Sequence, residues 1–225
     1  MKKFILTVLS FIALGAYNHT MAQSNASSGP EKNPNLKDAG TYTGENKQGK
    51  MHGQGRYEWK NGDKFEGNFE NGQINGYGRY SWTNGDIYQG SFKNGKQNGV
   101  GSAFYADKCN VYEGEWKDDV RVGEGVFTAA NGDKYVGHYE NNQRNGFGTY
   151  YHNNGDVYAG QWVNGEKEGL GKYTYANGST YEGQFKDDMR NGEGTYTTPS
   201  GRTIAGNWKD NRFAGNVNDA VLAAR

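Results

Sequence analysis

The chain repeats itself every 23 residues. Aligned on an aromatic residue followed two places later by glycine, its units start at Tyr42, Phe65, Tyr88, Tyr112, Tyr135, Tyr158, Tyr181 and, as a partial last copy, Ile204. Every step is 23 residues except the 24 from Tyr88 to Tyr112. A period of this size marks an array in which each unit is too small to bury its apolar side alone and stacks on its neighbours.

Numbering each unit from its first aromatic as position 0, positions 0, 2 and 4 read aromatic, Gly, aromatic, as in Tyr112, Gly114 and Trp116. Positions 11, 13 and 15 read Gly, Gly, aromatic, as in Gly146, Gly148 and Tyr150. The residues between are mostly polar, such as Glu113, Glu115 and Lys117. Alternation with period two is a strand with one buried face, so each unit holds two strands. Asn71-Gly72, Asn94-Gly95, Asp118-Asp119 and Asn164-Gly165 at positions 6 and 7 all tolerate positive φ and suit a two-residue type I′ turn. That turn predicts position 2 opposite 11 and position 0 opposite 13, an aromatic ring covering a bare glycine. Between units, Lys60-Asn61-Gly62 and Thr83-Asn84-Gly85 fit a three-residue loop ending in a left-handed Gly, which pairs Tyr57 with Phe65, Tyr80 with Tyr88 and Tyr150 with Tyr158.

The expected fold is therefore all-β: an elongated, twisted antiparallel meander of about eight 23-residue β-hairpin repeats. The composition agrees. At 33% hydrophobic the chain is lean, but 14% aromatic residues and twelve Asn-Gly pairs are not the makeup of a disordered segment.

Y-E-G-E-W-K from Tyr112 to Lys117, and G-x-G-x-Y followed by N-G-D from Gly146 to Asp156, resemble the MORN (membrane occupation and recognition nexus) repeat. The likeness runs from Tyr42 to about Val217. It implies a non-catalytic array associated with protein–protein contacts, self-association, and membrane or phospholipid attachment.

The ends are of other material. In residues 1–22, Lys2 and Lys3 precede an apolar run from Phe4 to Ala16, then Thr20-Met21-Ala22, the pattern of a secretory signal peptide cut before Gln23. The run falls short of the ~20 residues of a membrane span. Residues 23–40 read as a flexible linker, 41–217 as the repeat array, and 218–225 as a tail or short helical cap. The expected location is exported, periplasmic or extracellular. Cys109 is the sole cysteine, so no intramolecular disulfide forms. Without residues 1–22 the chain carries 23 basic and 25 acidic side chains, a balance that does not point to nucleic acid.

No residue pattern suggests catalysis. His52, His138 and His152 have no metal-ligand spacing, the carboxylates recur with the period, and Gly-x-Gly opens no helix. The reading is not an enzyme, with no metal and no cofactor. Two features are candidates for interaction. One is the irregular turn Ala106-Asp107-Lys108-Cys109, where Lys108 and Cys109 offer a partner contact, against plain drift in a surface turn. The other is the row Trp59, Trp82 and Tyr105 at position 17, against edge packing of the core. A basic line at positions 8 and 9, including Lys50, Lys96, Arg121, Arg144, Lys167 and Arg190, suggests a phosphate-binding edge, diluted by nearby carboxylates. The expected function is an exported scaffold for a partner protein or self-association. The alternative is an envelope ligand binder, touching phospholipid head groups or cell-wall glycan through the basic edge or the aromatic row.

Overall fold

The computed structural model describes residues 40–216. The expectations for residues 1–22, for nearly all of the linker and for the tail lie outside the described residues. In chain order the strands are β1 (Thr41–Lys47), β2 (Lys50–Glu58), β3 (Lys64–Glu70), β4 (Gln73–Ser81), β5 (Ile87–Lys93), β6 (Lys96–Tyr105), β7 (Asn110–Lys117) and β8 (Val120–Thr128). They continue as β9 (Lys134–Glu140), β10 (Gln143–Tyr151), β11 (Val157–Val163), β12 (Glu166–Thr174), β13 (Thr180–Lys186), β14 (Met189–Thr197), β15 (Thr203–Lys209) and β16 (Arg212–Gly215). All 16 form one sheet in sequential order, each strand antiparallel to the next.

Both connections form as the residue types require. Within a unit, Asn71 and Gly72 take φ of 51° and 84°, the left-handed pair of a type I′ turn, and Glu70 faces Gln73 across it. Where Gly is replaced, Asp118 and Asp119 still reach 50° and 69°. Between units, Trp59 N–H donates to Asp63 O at 3.0 Å and Gly62, at φ 91°, closes the three-residue loop. The pairs Tyr57–Phe65, Tyr80–Tyr88 and Tyr150–Tyr158 are as expected.

The register inside the hairpin differs from the expectation. Gly67 faces Gly78 rather than Gly76, and Phe65 faces Tyr80 rather than Gly78. Nearer the turn, Phe69 faces Ile74, so Asn75, Gly76 and Tyr77 bulge opposite the single residue Asn68. Gly76, at φ 99°, supplies the left-handed residue this wide bulge requires. The ring still covers bare backbone, but diagonally: a Cβ on Gly171 would lie 2.6 Å from the Tyr158 ring, so the glycine pair and the ring exclude any side chain there.

One face of the sheet is the core. Position-0 and position-4 rings interlock edge to face in an unbroken zigzag from Tyr42 to Trp208, through Phe65–Phe92 at 5.2 Å, Tyr112–Tyr139 at 5.1 Å and Tyr158–Phe185 at 4.9 Å. Phe213, at position 9, packs on its end. Phe65, Tyr88, Tyr112, Tyr158 and Tyr181 are wholly buried. Polar staples join successive units. Asp63 accepts Thr83 N–H at 2.9 Å, Asp86 accepts Ala106 N–H at 2.7 Å, Asp133 accepts Asn153 N–H at 2.8 Å and Asp156 accepts Ala176 N–H at 2.8 Å. Burial alone would raise the Asp133 and Asp156 carboxyls, but these N–H groups, a tyrosine hydroxyl (Tyr150 or Tyr173) and a loop Asn outweigh it and hold both below the usual range.

Candidate interaction surface

The sequence-derived candidates fall mostly on the core face. Trp59 is buried and Trp82 half-buried, joined in a ring stack Tyr57–Trp59–Tyr80–Trp82 with centroids 4.7, 5.0 and 4.3 Å apart. Tyr105 is half-buried in the next unit. Lys108 and Cys109 are exposed in the four-residue turn after β6, where Cys109 takes φ 51° and its Sγ lies 3.7 Å from Ala106 O. Ala106, at the head of this turn, donates its N–H to Asp86 at 2.7 Å, which sets the turn against the loop that follows Trp82.

Lys50, at position 8 of the basic line, is exposed, but the position-9 members do not form an exposed edge. Position 9 has core parity, and its four cations fold over aromatic rings. Arg121 is buried between Tyr112 and Tyr139, Arg144 sits 4.3 Å from the Trp162 ring centroid, and Arg190 4.6 Å from that of Trp208. Their guanidiniums donate to turn carbonyls of the following unit, Arg121 to Asn142 O at 2.9 Å and Arg144 to Gly165 O at 2.6 Å. Burial lowers the Lys167 ammonium pKa, with Asp188 at 3.6 Å opposing that shift. These cations are structural, occupied by rings and carbonyls rather than offered to phosphate.

The opposite face carries positions 1, 3, 12 and 14. Its side chains stand in two walls that run across the strands, with the glycine pairs as the floor between them. Over β1 to β5 the walls are polar and enclose an open groove of about 750 Å³ lined by Arg56, Glu66, Asn68, Tyr77 and Arg79 above Gly55, Gly67 and Gly78. Arg56 bridges Glu66 at 3.6 Å and Glu58 at 3.2 Å.

From β8 to β12 the same walls lose their charge. One wall is Val126, Val136, Thr149 and Ala159, joined by direct cross-strand pairing. The other presents Phe147 and Leu170, 69% and 62% exposed. Glu124 bounds the island at one end, with its carboxylate 3.3 Å from His138 Nδ1. Lys172 bounds it at the other, paired with Glu182 at 3.6 Å. Gln161 stands between Phe147, its register partner, and Leu170, whose N–H it accepts at 2.7 Å. Large apolar side chains this exposed within an uncharged stretch are the mark of a docking surface. Among the described residues no group of three or more His, Cys, Asp or Glu is placed to hold a metal.

The sequence reading missed this island. Position 12 reads Gln54, Tyr77, Val100, Glu124, Phe147, Leu170 and Glu193 along the array. Apolar residues at a position whose parity faces solvent were the available signal.

Hairpin units joined in order into one open sheet, with a ringed core face and a solvent face, define a β-hairpin repeat protein. The family model for the MORN repeat matches residues 42–64, 65–87, 88–109, 112–134, 135–157, 158–180 and 181–201, and the chain belongs to that family. No curated protein matches the chain. Among solved structures it is similar to the SAS-4 (dCPAP) TCP domain of Drosophila melanogaster in complex with a proline-rich motif of Ana2 (dSTIL), at 16% identity over 69% of this chain and 84% of that one, TM-score 0.46. The TCP10c domain of Drosophila melanogaster Sas-4 is likewise 16% identical over 70% and 93% of the two chains, TM-score 0.42.

Proposed function

We propose that the chain is a non-catalytic, exported scaffold that docks a partner protein on its solvent face, through the island around Phe147 and Leu170. The observation that carries the reading is the island itself. Apolar side chains occupy wall positions that charged residues take in other units, and nothing in the described chain covers them. Export rests on Lys2, Lys3, the apolar run from Phe4 to Ala16 and the small residues before Gln23.

The test places a photoreactive residue at position 147, and separately at 105 and 109, and irradiates the envelope and culture fractions. A single protein joined in near-stoichiometric yield through position 147, and lost on Leu170→Ser, is the expected outcome. Equal capture from all three positions, or none, overturns the docking surface. Sequencing the N-terminus of the chain recovered outside the cytoplasm tests export, and Gln23 is the expected first residue.

A further inference from the structure

We infer that the island holds a proline-rich segment in polyproline II conformation, lying along the array and carrying a basic residue at each end. The inference rests on the docking reading above and specifies its occupant.

The first argument is one of period. Successive units place equivalent side chains two strands apart, about 9.6 Å at ~4.8 Å per strand. A polyproline II helix returns the same side of its chain every three residues, about 9.3 Å. The mismatch of about 0.3 Å per unit stays well under 1 Å across the island. An α-helix advances 5.4 Å per turn and has no comparable match to this spacing. The island spans four strand spacings, about 19 Å, the length of about six polyproline II residues.

The second argument is area. An island of this size offers on the order of 400 Å² of apolar surface, comparable to the largest patch on an ordinary monomer. Two copies face to face would bury about 800 Å² of apolar surface, roughly 1,200–1,400 Å² in total at the usual apolar share, only the lower edge of stable interfaces. A second copy would also bring acidic ends together and is therefore the weaker occupant. A short, stiff segment that has little conformational entropy to lose is the better one.

The third argument is charge. Beyond the Val126 end of the island the solvent face bears Glu113, Glu115 and Glu124, and Glu115 Oε1 accepts the Glu124 N–H at 3.3 Å. Beyond the Leu170 end, Lys172 is neutralised by Glu182, and Glu193 stands exposed. The island is thus acidic at both ends. Glu124, Phe147, Leu170 and Glu193 share position 12 and so fall one unit apart. They select a basic residue, two apolar residues at successive three-residue steps, and a second basic residue one step further, in either chain direction.

The test measures anisotropy of fluorescein-labelled synthetic peptides on the full chain. One peptide has prolines at the two three-residue steps with an arginine one step beyond each, one replaces both arginines with glutamine, and one has the first composition scrambled. The first peptide binds. Its affinity falls at least tenfold on Phe147→Ser or Leu170→Ser, and is unchanged on Tyr77→Ser, an equally exposed position-12 control outside the island. Glu124→Lys combined with Glu193→Lys weakens the arginine peptide at least tenfold and leaves the glutamine peptide within twofold. Phe147→Ser and Leu170→Ser change solvent-facing side chains, and matching circular dichroism melts confirm that the sheet is intact. Equal binding of the scrambled peptide, or indifference to Phe147→Ser, overturns the proposal. Failure of all peptides alongside successful cross-linking at position 147 overturns this occupant and leaves the docking reading standing. Phe147-dependent binding to phosphatidylcholine–phosphatidylglycerol vesicles, with no peptide bound, overturns both.

Discussion

The tyrosine at position 0 does two jobs that a phenylalanine does only in part. Its ring fills the zigzag, and its hydroxyl donates to the carbonyl three residues on, as Tyr158 does to Gln161 O at 2.9 Å and Tyr181 to Gln184 O at 3.0 Å. That carbonyl belongs to the single residue that stands opposite the bulge of its own hairpin. Phe65 shows that the ring alone suffices for packing. Tyr158→Phe is therefore expected to fold and to lose about 1 kcal/mol, the net worth of a hydrogen bond, read from a urea melt. A second residue-scale case is Ser179. In the other staples the loop carboxylate accepts an N–H 20 residues later, as Asp156 does from Ala176. Twenty residues after Ser179 stands Pro199, which has no N–H to give. Ser179 is 1% exposed and its hydroxyl makes no hydrogen bond among the described residues. Ser179→Asp alone should cost about 2–3 kcal/mol by burying an undercompensated carboxylate. Combining it with Pro199→Ala should restore at least half of that loss, a coupling that a double-mutant cycle measures. Strict additivity of the two changes would refute the staple account.

Strands and turns were legible because each depends on residue types at fixed spacing. Asn-Gly pairs set the type I′ turns, and the parity of Tyr80 and Tyr88 set the three-residue loops. The hairpin register was not legible, for a physical reason. The bulge adds two residues to β4 and its equivalents, and a shift of two leaves every side chain on the face it would have had anyway. Alternation is blind to it, and only the left-handed Gly76 marks it. Parity did hold the answer for the basic line. Across a two-residue turn position 4 faces position 9, so Arg121 had to lie beside Trp116, on the core face. Position 12 has the opposite parity, and for that reason Phe147 and Leu170 passed as decoration. The irregular turn after β6 yields an element-scale prediction. Cys109 holds φ 51°, a conformation that costs a cysteine but little for asparagine, the residue found at that angle in Asn71, Asn94 and Asn164. Cys109→Asn is expected to raise stability by about 0.5–1 kcal/mol. A lower melting temperature for that variant would show that the thiol, not the backbone, is what the turn is built around.

At the largest scale, the described residues form a single sheet with no second layer among them, so the cohesion of the array is that of one continuous aromatic face. Twelve tyrosines along it have pKa values raised from the ordinary 10.0, with burial the leading cause in each. Tyr139, beside Tyr112 and under Arg121 and Arg144, is pushed up to about 12, as is Tyr150 against Asp133. The sign follows from linkage. Above pH ~10 the unfolded chain releases phenolic protons that the folded chain keeps, so the unfolded state binds fewer protons and stability falls as pH rises. Each unit of delay removes about 1.4 kcal/mol per tyrosine, and because the rings interlock from unit to unit, the ionisations cannot proceed one by one without opening the face. The array should hold its circular dichroism to about pH 10 and then unfold within about one pH unit, with tyrosinate absorbance rising in the same step. Removing one ring hydroxyl by Tyr158→Phe should leave that step as steep as before, since eleven others still drive it. A broad titration with the sheet signal intact would mean that the rings ionise in place, and that the face is far more open to water than the burial of Tyr88, Tyr112 and Tyr181 allows.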